Sequence, residues 1–285
     1  MSNSKCYAVA LLVALSSISN CSVNGLASGG VATVTLGKTQ SGLQTSPRVE
    51  TVDLGQDKLV SIFVPHDDNG LRRRPKLSKK KKCANLAMAR FIAHSKIIDG
   101  HDVMELGCGL GLISAAATKH ARPSHVALTD VDATLLAKAY SSCTQLNRSK
   151  ASVSRCVMDW GDRSTWPNQN YGKVVEGLPR KNNFTCNIET SHCQCCTCYD
   201  FFYKKDVLLA ADVLGDRDSV NPLIDVLQFY LSKEGQGQKQ KRAIIIDPVN
   251  SFNRDTFCYA ARRAGLETDR LPFHDDFVLL SVTPR

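Results

Sequence analysis

Short apolar runs alternate along this chain with longer stretches in which apolar residues recur at three- and four-residue spacing. The segments 103–106, 125–129, 153–158, 206–211 and 242–247 read as strands, and 84–94, 111–120, 132–146, 219–232 and 253–264 read as helices. This alternation predicts an α/β fold with a parallel, doubly wound sheet, helices on both faces, and ligands at the carboxyl ends of the strands. Asp276-Phe-Val-Leu-Leu-Ser-Val reads as a closing strand for which an antiparallel course is open. No internal repeat is evident.

The candidate chemistry begins at Val103-Met-Glu-Leu-Gly-Cys-Gly-Leu-Gly-Leu-Ile-Ser, a strand that runs into glycines at alternate positions. Gly107, Gly109 and Gly111 open the following helix, and a turn of this kind lets a ligand approach backbone that a Cβ would shield. The spacing is G-x-G-x-G, whereas the dinucleotide fingerprint is G-x-G-x-x-G. Glu105 just before the loop would repel phosphates and suit the cationic groups of S-adenosylmethionine. The alternative is an ordinary strand-to-helix turn.

Two more strand ends add carboxylates. His125-Val-Ala-Leu-Thr-Asp130 ends in an acid about 20 residues past the glycines, the distance at which βαβ nucleotide sites bind a ribose diol. Ser152-Val-Ser-Arg-Cys-Val-Met leads into Asp159-Trp160-Gly161. There a carboxylate can accept an adenine amino proton and an indole can cover the ring, or the segment is an exposed turn with no ligand.

In that order, Glu105-Leu-Gly-Cys-Gly-Leu-Gly, Leu128-Thr-Asp130, Met158-Asp-Trp-Gly161 and Leu208-Leu-Ala-Ala-Asp212 resemble the seven-strand class I methyltransferases. Within that class the chain resembles the methyltransferase-like family-16 protein lysine methyltransferases, over roughly residues 49–285. The hairpin-like segment Val49-Glu-Thr-Val-Asp-Leu-Gly-Gln-Asp-Lys-Leu-Val-Ser-Ile and the Asp-Trp-Gly element are the more family-specific parts. The resemblance implies S-adenosyl-L-methionine as cofactor. Gly107, Cys108 and Gly109 would wrap its methionine part, Asp130 its ribose, and Asp159 and Trp160 its adenine. Glu105 and Gly111 belong to the same loop, Ala211 would touch the cofactor, and Asp212 would lie beside the transferable methyl. Asp212 would orient a lysine amine, serve as N-cap of the following helix, or do both.

The chain departs from the family pattern at three places. Gly215 stands where an aromatic residue usually lines the amine slot. Lys82 and Cys83 occupy the place of a usual tryptophan. Val249 and Asn250 follow Asp247-Pro248 in place of a glycine and arginine.

The 285 residues, 43% hydrophobic, suffice for one large core once the N-terminal tail is set aside. Residues 1–48 read as a targeting segment and disordered tail, and 49–285 as the methyltransferase domain. Lys5 precedes a short apolar run, Tyr7 to Leu15, with small residues through Ala27-Ser-Gly-Gly and no acidic residue before Glu50. The run is too short for a membrane span. It matches a secretory signal, alone or leading to a plastid, or a mitochondrial presequence; otherwise it is a tail with a chance apolar patch and the protein is cytoplasmic. The net charge of +9 is concentrated in the insertion 71–83, which contains Arg72-Arg-Arg and Lys79-Lys-Lys-Lys. Such a run is a solvated insertion or attracts an acidic partner; with no interleaved aromatics, nucleic acid is a minor reading.

A second insertion, 172–204, holds Cys186, Cys193, Cys195, Cys196 and Cys198 of the chain's 12 cysteines. Disulfides or unpaired thiols are favoured over zinc, because a structural zinc site needs a second, separated ligand pair. No metal is therefore expected. The Asn183-Phe-Thr sequon matters only in the secretory route. Three functions are open: an N-methyltransferase acting on protein side chains, lysine foremost; a small-molecule methyltransferase of the same fold; and a non-catalytic cofactor-binding or partner-binding module. Oligomeric state is not legible.

Overall fold

The computed structural model describes residues 32–34, 48–64, 79–148, 151–166, 205–232, 241–274 and 276–285. The strands and helices in order are β1 (Ala32–Val34), β2 (Arg48–Asp53), β3 (Leu59–Val64), α1 (Lys79–His94), β4 (Asp102–Leu106), α2 (Leu112–His120), β5 (His125–Asp130), α3 (Ala133–Ser141), β6 (Ser152–Val157), β7 (Val207–Ala211), α4 (Val220–Leu231), β8 (Arg242–Pro248), α5 (Arg254–Arg263), β9 (Leu266–His274) and β10 (Phe277–Pro284).

The described residues form a seven-stranded sheet in the order β6-β5-β4-β7-β8-β10-β9. The pairs β6/β5, β5/β4, β4/β7 and β7/β8 are parallel, while β10 runs antiparallel to both β8 and β9. The reversal of strand order on either side of β4 brings the ends of β4, β5 and β7 together, where open α/β sheets bind ligands.

Alternating side chains of the central strands feed two cores. Val103, Val126, Leu128, Leu209, Ile244 and Ile246 face α1, α2 and α3, whereas Met104, Leu106, Leu208, Ala210, Ala243 and Ile245 face α4 and α5. Because both faces are covered, these strands are mostly apolar, and this makes their positions predictable.

The expected N-terminal hairpin is present: β2 and β3 pair antiparallel from Arg48↔Val64 to Asp53↔Leu59. β1 pairs with β2, so Ala32–Val34, within the segment read as tail, carries a strand. The open edge of β3 is held by side chains. Asn147 accepts from Ser61 N at 3.2 Å and donates to Ser61 O at 2.8 Å, and Ser142 Oγ accepts from Phe63 N at 2.9 Å. These residues flank a π-helical turn, Ser142–Leu146, that ends α3 and replaces the last turn of the helix expected over 132–146.

β9 was not anticipated. Its sequence, Leu-Glu-Thr-Asp-Arg-Leu-Pro-Phe-His, is charged and contains a proline, a composition tolerated on an edge strand. The basic run Arg72 to Leu77 and all five cysteines of the second insertion lie outside the described residues, as does nearly all of the targeting segment. Among the described residues no helix is long and apolar enough to cross a membrane.

Candidate cofactor and methyl-acceptor site

The glycine loop joins β4 to α2. Gly107, Gly109 and Gly111 have φ of 68°, 53° and 73°, a region that costs other residues energy. Each glycine meets a different neighbour. A Cβ on Gly111 would lie 2.7 Å from Ala139 Cβ, so this glycine permits close packing of α2 on α3. A Cβ on Gly107 would lie 3.4 Å from the Trp160 ring, and one on Gly109 would meet nothing within 4 Å.

The loop's own donors are largely committed. Cys108 N donates to Thr129 O at 2.8 Å, Gly109 N to Asp130 Oδ2 at 2.7 Å, and Gly111 N to Cys108 O at 2.8 Å. At the start of α2, Ser114 N donates to Glu105 Oε2 at 2.9 Å. A pyrophosphate site needs such amides pointing at the ligand. This loop instead presents bare backbone edges, which suits a ligand without phosphates.

Glu105 differs from the sequence picture. It is 2% exposed, and its carboxyl also accepts a bond from the Ser114 hydroxyl. Burial first, and the nearby Asp130 charge last, push its pKa up to about 8. The side chain is thus packed against the first turn of α2 and shapes the loop from beneath. Cys108 is likewise a framework residue: it is buried, and burial pushes its thiol up, away from thiolate chemistry.

Asp130 stands at the end of β5. Its Oδ2 accepts from Gly109 N and its Oδ1 from Asp132 N at 2.9 Å, and the backbone O accepts from Met158 N. A carboxylate oxygen has two acceptor directions, so both oxygens keep capacity for a diol. Asp132 then caps α3 by accepting from Thr134 N and Leu135 N, fixing the turn beside Asp130.

The Asp-Trp-Gly turn is held by Thr165 and Trp166, which belong to no motif. Trp166 Nε1 donates to Asp159 O at 2.8 Å, and Asp159 N donates to Thr165 Oγ1 at 2.9 Å. Asp159 itself is exposed, and one of its carboxylate oxygens accepts from Gly161 N at 2.8 Å. Trp166 is 5% exposed, and a buried indole N–H needs a partner, which was the available signal. Gly107, Gly109, Asp130 and Trp160 are therefore brought together at neighbouring strand ends. The bare loop, the strand-end carboxylate and the flat indole have the shape and polarity that an adenosyl ligand would need.

Ala211 is buried at the end of β7, and Asp212 follows in the left-handed region with φ 58°. Asp212 N donates to Ile246 O of β8 at 3.0 Å. The N-cap reading does not hold, because α4 begins at Val220 with Ser219 at its cap. Gly215 is exposed, and a Cβ there would meet nothing within 4 Å.

The strand order, with its antiparallel final pair, and the glycine loop at the end of β4 make the fold of the class I, seven-strand methyltransferases, a class whose cofactor is S-adenosylmethionine. Residues 77–175 match the family model described as lysine methyltransferase. Among curated proteins none matches the chain.

Solved structures with a similar chain course include Pyrococcus horikoshii TYW2 in complex with MeSAdo, at 12% identity and TM-score 0.46, covering 84% of this chain and 72% of that one. The Methanococcus jannaschii fibrillarin pre-rRNA processing protein matches at 13% identity and TM-score 0.42, covering 90% and 98%. The ribosomal protein L11 methylase of Lactobacillus delbrueckii subsp. bulgaricus matches at 12% identity and TM-score 0.41, covering 71% and 79%. Across such structures this chain spans between 55% and 98% of the other chain's length.

Proposed function

We propose that this protein is an S-adenosylmethionine-dependent N-methyltransferase that acts on lysine side chains of a protein. The observation that carries the reading is the match of residues 77–175 to the lysine methyltransferase family model; the position of Asp212 beside the glycine loop's strand agrees with it. Gly107 and Gly109, with the framework residues Cys108, Gly111 and Glu105, would shape the methionine end of the cofactor site. Asp130 would take the ribose hydroxyls, Asp159 and Trp160 would border the adenine, and Ala211 would pack against the bound molecule. When bound, the cofactor supplies an electrophilic methyl on a sulfonium.

The protein's own work is then alignment and exclusion of water, since an in-line displacement gains most from a fixed approach. A lysine amine attacks only when neutral, and apolar walls favour that form. Asp212 would hold the amine by its hydrogens and set its direction. Calorimetric titration of the full chain with S-adenosylmethionine, followed by labelled-methyl transfer into a protein extract and identification of the labelled residue, tests the reading. Label on lysine supports it, and no cofactor binding would overturn it. The open space at Gly215 favours a second reading, a small-molecule acceptor, which label in metabolites but not in protein would support.

A further inference from the structure

One aromatic side chain at the carboxyl ends of the strands is left almost wholly in water. Phe252, in the turn between β8 and α5, is 96% exposed, more than any other large apolar residue among those described. Val249, in the same turn, is 44% exposed. A single exposed apolar residue is ordinary on a protein surface. This one stands at the end of the sheet where open α/β folds bind their ligands.

The turn that carries the ring is firmly tied. Val249 N donates to Asp276 O at 2.9 Å and Ser251 N to Pro248 O at 3.0 Å. Arg254 clamps the turn from α5 by donating to Pro248 O at 2.9 Å and Val249 O at 2.7 Å. Asn253 Nδ2 donates to Leu214 O at 2.9 Å, and the Ser251 hydroxyl lies 3.4 Å from the same oxygen. The two neighbours of Phe252 in sequence are thus held against the backbone between Asp212 and Gly215, where a Cβ on Gly215 would meet nothing within 4 Å. The charges beside the ring are engaged: Arg254 as above, and Asp255 with Arg270 at 2.5 Å. This face therefore offers apolar contact on a fixed support.

We infer that Phe252, with Val249 beside it, is a specificity-determining contact that takes an apolar side chain of the acceptor polypeptide next to the residue that is methylated. The inference rests on the protein-methyltransferase reading and adds to it what must stand beside the target. A ligand confined to the strand ends leaves so exposed a ring in water, whereas a polypeptide that continues over the rim covers it. An aromatic ring supplies a large contact area, and aromatic anchors carry much of the binding energy where a partner desolvates them. Phe252 touches neither the transferred methyl nor the attacking atom. It decides which chains are held at the site.

The test is labelled-methyl transfer from S-adenosylmethionine into an unfractionated protein extract, run over a range of extract concentrations with the full chain and three variants. Phe252→Ser should raise the half-saturating extract concentration by about 10- to 50-fold and leave the saturating rate nearly unchanged. Phe252→Leu should recover most of the loss. Tyr259→Ser removes another exposed aromatic, 66% exposed on the second turn of α5, and should behave as the natural protein. Calorimetry with S-adenosylhomocysteine should give one affinity for all four proteins, and the labelled sites should carry an apolar residue beside the target. Unchanged transfer by Phe252→Ser, an equal loss in Tyr259→Ser, weakened cofactor binding by Phe252→Ser, or labelled sites with only polar neighbours would each overturn the inference. Label confined to metabolites, or no label from a cofactor-bound natural protein, would instead overturn the protein-acceptor reading on which it rests.

Discussion

Glu105 and Ser114 form a buried contact beneath the glycine loop, in which one carboxylate oxygen receives both the amide and the hydroxyl of Ser114. The pair fixes the start of α2 relative to the end of β4. It also makes stability depend on pH.

The Glu105 pKa rises from 4.5 to about 8 on folding. Between those values the folded protein holds a proton that the unfolded chain releases, so stability falls as pH rises through this window. Glu105→Gln keeps the acceptor and removes the titration. We expect the variant's advantage over the natural protein to grow from pH 5 to pH 8 in urea denaturation, by a few kcal/mol in all; parallel curves across that range would disprove it.

Gly111 and Ala139 are the tightest backbone approach at the site. Gly111→Ala adds a Cβ 2.7 Å from that of Ala139 at a φ of 73°. Overpacking and left-handed strain together should cost about 2–4 kcal/mol. Adding Ala139→Gly should recover only part of the packing cost, since the Ala139 Cα still lies 3.0 Å from the added Cβ, and a double-mutant cycle in urea measures the coupling.

Trp160 and Trp166 are the chain's two tryptophans. If Trp160 borders the adenine, S-adenosylhomocysteine should change the fluorescence of Trp166→Phe and leave that of Trp160→Phe nearly constant. The same titration on Asp130→Ala should show affinity weaker by roughly 10- to 100-fold, the worth of hydrogen bonds to a charged acceptor.

Asn147 ties β3 to the end of α3 with three hydrogen bonds, two to Ser61 and one to Ser142 O. Asn147→Ala should cost about 2–3 kcal/mol. Hydrogen exchange should accelerate at Ser61 N before it does in β4 or β5. Uniform acceleration across the sheet would show that the hairpin is not a separately opening unit.

The readable parts of the sequence were those where composition and position demand the same thing. β4, β5 and β7 are buried on both faces and so are mostly apolar, and their ends are marked by Gly107, Asp130 and Asp212. β9 has no apolar signature because an edge strand is free to carry Glu267, Asp269 and Arg270. The direction of Glu105 was not legible either, since whether a strand-end carboxylate faces ligand or helix depends on the packing of Ser114. The helix-capping reading of Asp212 failed because seven residues, Val213 to Ser219, intervene before α4.

The saturated amides of the glycine loop also bear on the company the protein keeps in a cell. ATP and the nicotinamide dinucleotides share the adenosine of S-adenosylmethionine and are abundant competitors. With Cys108, Gly109, Gly111 and Ser114 already satisfied internally, their polyanionic tails would find little to replace lost hydration and would meet Asp130 in repulsion. The internal hydrogen bonds of the loop would thus disfavour these competitors.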